Sequence, residues 1–303
     1  MNSSAIKRFQ SFLFVLFLVF TPKLVLSQDD IWSGIDSSST DTDKDLVIAT
    51  FKSTRVINFQ NVECVGKRTL DFRISHRFGE WNTGAYNFYG IDGPANIRLG
   101  LEYSPNGRFM FGIGRSSYRK ELDGFLKYRW LRQTTDDAMP VSVTFVSSIF
   151  MTRLKDPQAQ STGFDKYHYL SDRLSFSNQV IIGRKFSRNF SMQIAPVMVH
   201  YNLAEDFTDL NDSYFITTAA RLKVSKRIAV TGEYGLSLAS HTQKDVANTL
   251  GFGIDIETGG HVFQLFLTNS FGITENQFLP FTTNSWADKG FRLGFNVSRV
   301  FSL

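Results

Sequence analysis

Polar and charged side chains, Thr69, Asp71, Arg73, Ser75 and Arg77, sit on every second residue of the stretch from Lys67 to Gly79, K-R-T-L-D-F-R-I-S-H-R-F-G, with Leu70, Phe72 and Ile74 between them. In an extended chain that spacing puts cations and carboxylates on one face and hydrocarbon on the other. The same pattern returns along the chain and selects twelve candidates for a charged inner surface: Asp71, Arg73, Arg77, Arg98, Glu102, Lys127, Arg129, Arg221, Glu233, Asp255, Glu257 and Arg292. Gathered in a confined space, such charges would steer small hydrophilic or anionic solutes. They would equally serve as a plug of mutually paired side chains.

Other chemistry has weaker support. Ser116 and Ser117 in G-R-S-S-Y suggest an ester hydrolase with His76 as the base to test, but the G-x-S-x-G nucleophile elbow is absent. Of the five histidines, no two stand at metal-ligand spacing. Cys64 is the single cysteine, so an internal disulfide and a cysteine-rich metal site are excluded, and a plain free thiol is expected. Glycine-rich pieces such as G-F-G-I-D precede no helix and read as strand glycines that relieve crowding on the inner side. No catalytic residue, metal or cofactor is expected.

The elements that would position the inner charges are strands. Twelve are expected, at about 67–78, 95–104, 108–117, 121–131, 139–152, 172–186, 190–201, 213–224, 227–239, 248–257, 261–271 and 289–301. Links after the even-numbered strands are short and those after the odd-numbered ones are long, apart from the third, near Arg119. Short turns on one side and long loops on the other characterise a transmembrane antiparallel up-and-down β-barrel. An even strand number puts both ends of the barrel on the short-turn side. A bilayer interior offers no hydrogen-bond partners, so a spanning sheet must close. Pro196 falls inside the seventh strand, where a bulge or bend is expected. Asn178 and Arg299 fall on outward registers. The long loops hold Trp81, Tyr86, Phe88, Tyr89, Tyr167 and Tyr169, which would bind a partner or glycan or pack over the barrel mouth.

Residues 1–27 read as a cleaved secretory signal: Lys7 and Arg8 precede an apolar run from Phe12 to Phe20, and Val25-Leu26-Ser27 suits a signal peptidase. Without them the net charge falls from +5 to +2, which gives no argument for nucleic acid. Residues 28–66 are expected to be a periplasmic, partly flexible segment, with the stretch 46–62 ambiguous between a short strand and a piece tucked into or under the barrel. Residues 67–303 form the expected outer-membrane barrel.

The pieces K-R-T-L-D-F-R-I-S-H-R-F-G, A-N-I-R-L-G-L-E-Y, G-I-G-R-S-S-Y, D-G-F-L-K-Y and G-F-G-I-D-I-E-T-G-G-H-V-F-Q-L-F-L-T-N-S, with the ending F-N-V-S-R-V-F-S-L, resemble a β-barrel family of Gram-negative bacteria, domain of unknown function 5777. The resemblance runs from about residue 46 onward. It implies an outer-membrane barrel and brings no substrate and no catalytic positions. The leading expectation is a narrow passive pore or small-solute transporter in contact with outer-membrane lipid. The alternatives are a non-conducting barrel that docks a periplasmic partner through residues 28–62, and an outer-membrane lipid hydrolase.

Overall fold

The computed structural model describes residues 46–156, 165–204, 209–239 and 246–303. The expected signal and the lead-in up to residue 45 lie outside the described residues. The strands are β1 (Thr69–Arg77), β2 (Asn96–Ser104), β3 (Phe109–Ser116), β4 (Leu122–Leu131), β5 (Ser142–Met151), β6 (Leu174–Lys185), β7 (Phe190–Tyr201), β8 (Asp212–Lys223), β9 (Ile228–Ala239), β10 (Thr249–Thr258), β11 (His261–Thr268) and β12 (Arg292–Ser302). Each pairs antiparallel with its neighbours in sequence, and β1 pairs with β12, so the sheet closes into a twelve-stranded barrel. No helix among the described residues is long and apolar enough to cross a membrane.

Alternation decides which side chain meets which environment. On β2, Ile97, Leu99 and Leu101 are exposed on the outer surface, while Arg98 and Glu102 between them are fully buried inside. On β10, Phe252, Ile254 and Ile256 face out and Asp255 faces in. Asn178 does fall on the outer face, where it accepts a hydrogen bond from Ser147 Oγ at 2.8 Å. Arg299 also points outward, close to the chain end, with its guanidinium 4.9 Å from the Phe301 ring centre.

Of the bulge or bend expected at Pro196, the bulge does not occur. Pro196 pairs with Ile216 of β8, and β7 holds one register with β6 from Gln179↔Val197 to Ile182↔Ile194, losing only the intervening pairs. A missing N–H opens the ladder locally without inserting a residue. The register shifts found lie elsewhere, at Arg129/Leu131 and Tyr214/Phe215.

The interior is filled. Residues 50–65 lie inside the barrel wall and are buried apart from Lys52, so of the alternatives open for 46–62 the structure has the segment tucked into the barrel. The chain is tied to the short-turn end by Val47 N–H donating to the Gln133 carbonyl (2.8 Å) and Lys185 Nζ donating to the Ile48 carbonyl (2.9 Å). It then rises as a hairpin: Arg55 bridges Gln60, and Val56 N–H donates to the Phe59 carbonyl at 2.9 Å, so Ile57 and Asn58 form the tip. From the other end, the link between β11 and β12 folds inward and carries a short helix, α1 (Glu275–Phe281), buried from Glu275 to Pro280.

Candidate functional site

Irregular backbone inside a barrel has no ladder to join, so the wall must supply its partners. The wall does so through its inward side chains. Glu233 accepts from the N–H groups of Ile57, Asn58 and Phe59 at 2.9–3.1 Å, and from Asn58 Nδ2 at 2.6 Å. Lys127 Nζ donates to the carbonyls of Thr54 and Glu63, both at 3.1 Å. Gln193 donates to the Gln60 carbonyl (2.8 Å), Thr144 to that of Val62 (3.1 Å) and Asn296 to that of Ile57 (3.0 Å). Arg77 Nη2 donates to Asn58 Oδ1 at 2.7 Å.

The twelve charged residues selected from the sequence all point inward, and the structure sorts them into groups. Arg73 reaches Asp71 (3.1 Å), Glu102 (3.8 Å) and the hydroxyls of Ser53 and Thr54 on the hairpin, both at 2.8 Å. Arg129 meets Glu63 of the hairpin at 3.3 Å. Arg221 pairs with Asp255 (3.7 Å) and with Glu257 near the short-turn end. Arg292 stands at the other end, 3.4 Å from Glu80. Arg98 forms a bidentate pair with Asp123 at 2.6 and 2.9 Å.

Asp123 was missed by the sequence reading, although it alternates with Phe125 and Lys127 in D-G-F-L-K-Y. Asn58, Arg55 and Glu63 were missed because their stretch has no strand period. The apolar inward positions of β5 to β8 are also absent from the twelve, which hold only Arg221 from these strands. There Val146, Ile181, Ala195, Val197, Phe215 and Ala219 belong to one apolar cluster with Phe51, Val56, Ile57, Phe59 and Val62 of the hairpin and with Met110, Phe125 and Phe266 of the other strands. The lumen therefore holds both a hydrophobic core and ion pairs, and the two interleave where Arg55 lies over the Phe125 ring and Arg77 over the Phe266 ring.

The two fillings meet. The Phe59 and Phe278 rings stack at 5.4 Å, and Arg55 Nη1 lies 3.4 Å from Glu275 Oε1. Helix α1 is held in turn by Glu121 in the link between β3 and β4. That carboxylate accepts from Thr274 Oγ1 (2.8 Å), Asn276 Nδ2 (2.7 Å) and Gln277 Nε2 (2.9 Å).

Burial pushes the Glu121 carboxyl up from 4.5 to about 7; the bonds from Asn276 and Thr274 oppose that rise, Asp123 adds to it, and Arg119 opposes it. A carboxyl whose folded value is raised favours the folded site in its neutral form. The hold on α1 is thus fullest below pH 4.5 and weakens as pH rises through 7. The difference corresponds to roughly 3 kcal/mol at most. Hydrogen exchange over residues 275–281, normalised for intrinsic rates, should show up to about a hundredfold lower protection at pH 8 than at pH 5. Glu121→Gln should flatten that dependence; a profile unchanged by the substitution would remove Glu121 as its source.

The hydrolase arrangement is not assembled. Ser116 is buried with its hydroxyl donating to Asn96 Oδ1 at 2.9 Å, and Ser117 donates to the same atom at 3.2 Å. His76 lies on the outer register of β1, its ring stacked on Phe295 at 5.0 Å, so it does not face either serine. Among the described residues no three His, Cys, Asp or Glu side chains are grouped to hold a metal ion.

The membrane bound beta barrel domain, domain of unknown function 5777, matches residues 51–301. The chain belongs to this family. The match begins inside the hairpin, so the filling segment is part of the family domain together with the wall. Membership makes the barrel membrane-bound. Similar solved structures include the NanC porin (9% identity, TM-score 0.48, 77% of this chain and 99% of that one) and the KdgM porin (8%, 0.44, 78% and 99%). LpxR from Salmonella typhimurium is also similar (10%, 0.35, 78% and 100%). No curated protein matches the sequence. The architecture of this family member stands on its own closed ladder of twelve strands.

Proposed function

We propose that the protein is an outer-membrane transport barrel held shut by its own N-terminal hairpin and by α1, and that solutes cross only when these are displaced. The observation that supports this reading is the meeting of Phe59 with Phe278 at 5.4 Å, where the segment that enters from one end of the barrel packs on the one that enters from the other. The signal-like residues 1–27 support export. In this reading the narrow pore expected from the sequence is closed at rest, and the solute class stays that of small hydrophilic or anionic molecules, for which inward-facing charges are suited. Planar-bilayer recording tests it. Full-length protein should be silent, and a variant lacking residues 46–65, with barrel folding verified, should conduct. Silence of both would support the non-conducting scaffold instead. On this reading a periplasmic partner of residues 28–62 would dock through the part before residue 50, since residues 50–62, apart from Lys52, are buried within the wall.

A further inference from the structure

At mid-height on the outer face of β5 and β6 two polar side chains meet among apolar ones. Ser147 occupies the central outward position of β5, between Phe145 and Ile149, and its cross-strand neighbours are Leu126 and Asn178. Asn178 lies between Phe176 and Val180 on β6 and pairs with Met198 on β7. We propose that Asn178 is the centre of a contact between two copies of this chain, side by side in the membrane. The proposal rests on the membrane-bound barrel and not on whether the lumen conducts.

The amide requires a partner that lipid does not offer. Its Oδ1 accepts from Ser147 Oγ at 2.8 Å, the only side-chain hydrogen bond of Asn178 among the described residues. Both N–H groups of Nδ2 are left without an acceptor; turning the amide over would hand one of them to Ser147 and leave the other. Acyl chains carry no acceptor at this depth, and an unmet polar group there is costly.

A second copy supplies what is missing. An amide both donates and accepts, so it is its own complement. About a two-fold axis along the membrane normal, each Asn178 donates to the Oδ1 of the other copy, whose second lone pair is open beside the Ser147 bond. Polar side chains join membrane-spanning segments in this way.

The surroundings have matching relief. A groove of about 580 Å³ crosses the outer surface from Leu126 on β4 to Leu238 on β9 and takes in Ser147, Asn178 and Pro196. Tyr128, Phe145 and Tyr214 also line it and stand exposed on the same face. Concave and projecting apolar surface thus lie together, as a contact between identical faces needs.

Energy transfer between copies in lipid vesicles tests the proposal. Full-length Cys64→Ser protein would be labelled at Lys226→Cys, exposed in the turn between β8 and β9, with donor or acceptor dye, and the vesicles diluted with lipid. Transfer should persist on dilution and fall as pairs dissociate. Asn178→Leu, its fold verified by the heat-induced mobility shift, should lose transfer at an about tenfold lower lipid-to-protein ratio. In the same cysteine-free background, a short membrane-permeant bis-maleimide should join copies through Val180→Cys, beside Asn178, and not through Val297→Cys on β12, across the barrel. Absence of transfer at every ratio would leave the groove to lipid or to a different protein and overturn the proposal. Dissociation unchanged by Asn178→Leu, or equal cross-linking at Val297→Cys, would overturn it as well.

Discussion

Glu233→Ala should release the hairpin from the lumen. The carboxylate is 3% exposed and accepts three backbone N–H groups and the Asn58 amide. Its removal leaves those donors buried without acceptors, at about 1–3 kcal/mol each. Only the Asn58 amide has a second acceptor on the wall, Thr268 Oγ1 at 3.2 Å, among the described hydrogen bonds, and the hairpin's own ladder is limited to the bridge between Arg55 and Gln60. Cys64, the lone cysteine, provides the readout. It is buried, and burial pushes its thiol up, so a maleimide should label the native protein slowly. In the variant, labelling should accelerate by an order of magnitude or more, and single-channel openings should appear where the native barrel is silent. Labelling at the native rate in a folded variant would show that the apolar contacts with Val146, Ile181 and Val197 hold the hairpin without the carboxylate.

Arg98→Leu should weaken the wall itself. The pair with Asp123 is bidentate and fully enclosed. Such a pair contributes little net stability, because both ions lost their water; the large cost arises when one partner goes and the other is left. About 3–5 kcal/mol is expected, on the order of 10 °C in melting temperature if the barrel scales as soluble domains do. The space around the guanidinium was shaped for it: a Cβ on Gly114 would stand 2.4 Å from Nη2, and one on Gly100 2.6 Å from Nη1. The double variant Arg98→Leu/Asp123→Leu should recover most of the loss, measured by the heat-induced mobility shift of the folded barrel in gels. Failure to recover would mean that the pair does more than cancel its own burial, for instance by orienting Glu102.

How far these sites could be read from sequence follows from the range of the forces involved. Strands such as β2 and β10 carry their assignment locally, since I-R-L-G-L-E-Y and G-F-G-I-D-I-E-T alternate between two environments, lipid and lumen. The inward direction of Arg98 or Asp255 is then a matter of parity. Residues 50–65 carry no such signal. Each wall partner of Thr54, Asn58 or Gln60 lies on a distant strand, and the segment's mixture of Phe, Val and amide side chains suits an enclosed irregular chain as well as a short strand. The β5–β8 sector was hidden for a related reason. Where both faces of a strand are apolar, as at Val180-Ile181-Ile182, periodicity no longer tells lipid from core. Pro196 was read as a deformation because its missing donor was visible, while the neighbouring register that absorbs it was not.

The hairpin inside the lumen belongs to the first part of the domain, yet its anchors come late. Ile57 N–H meets Glu233 across 176 residues, and the Ile57 carbonyl meets Asn296 across 239. Contacts of such separation form only after the intervening loops have been closed, which makes them slow. The interior therefore acquires order after β9 and together with β12, as the seam with β1 is sealed. An insertion intermediate that lacks its last strand would carry an empty, hydrated centre and a loose N-terminal arm, and completion of the cylinder and the filling of its middle would be one kinetic event.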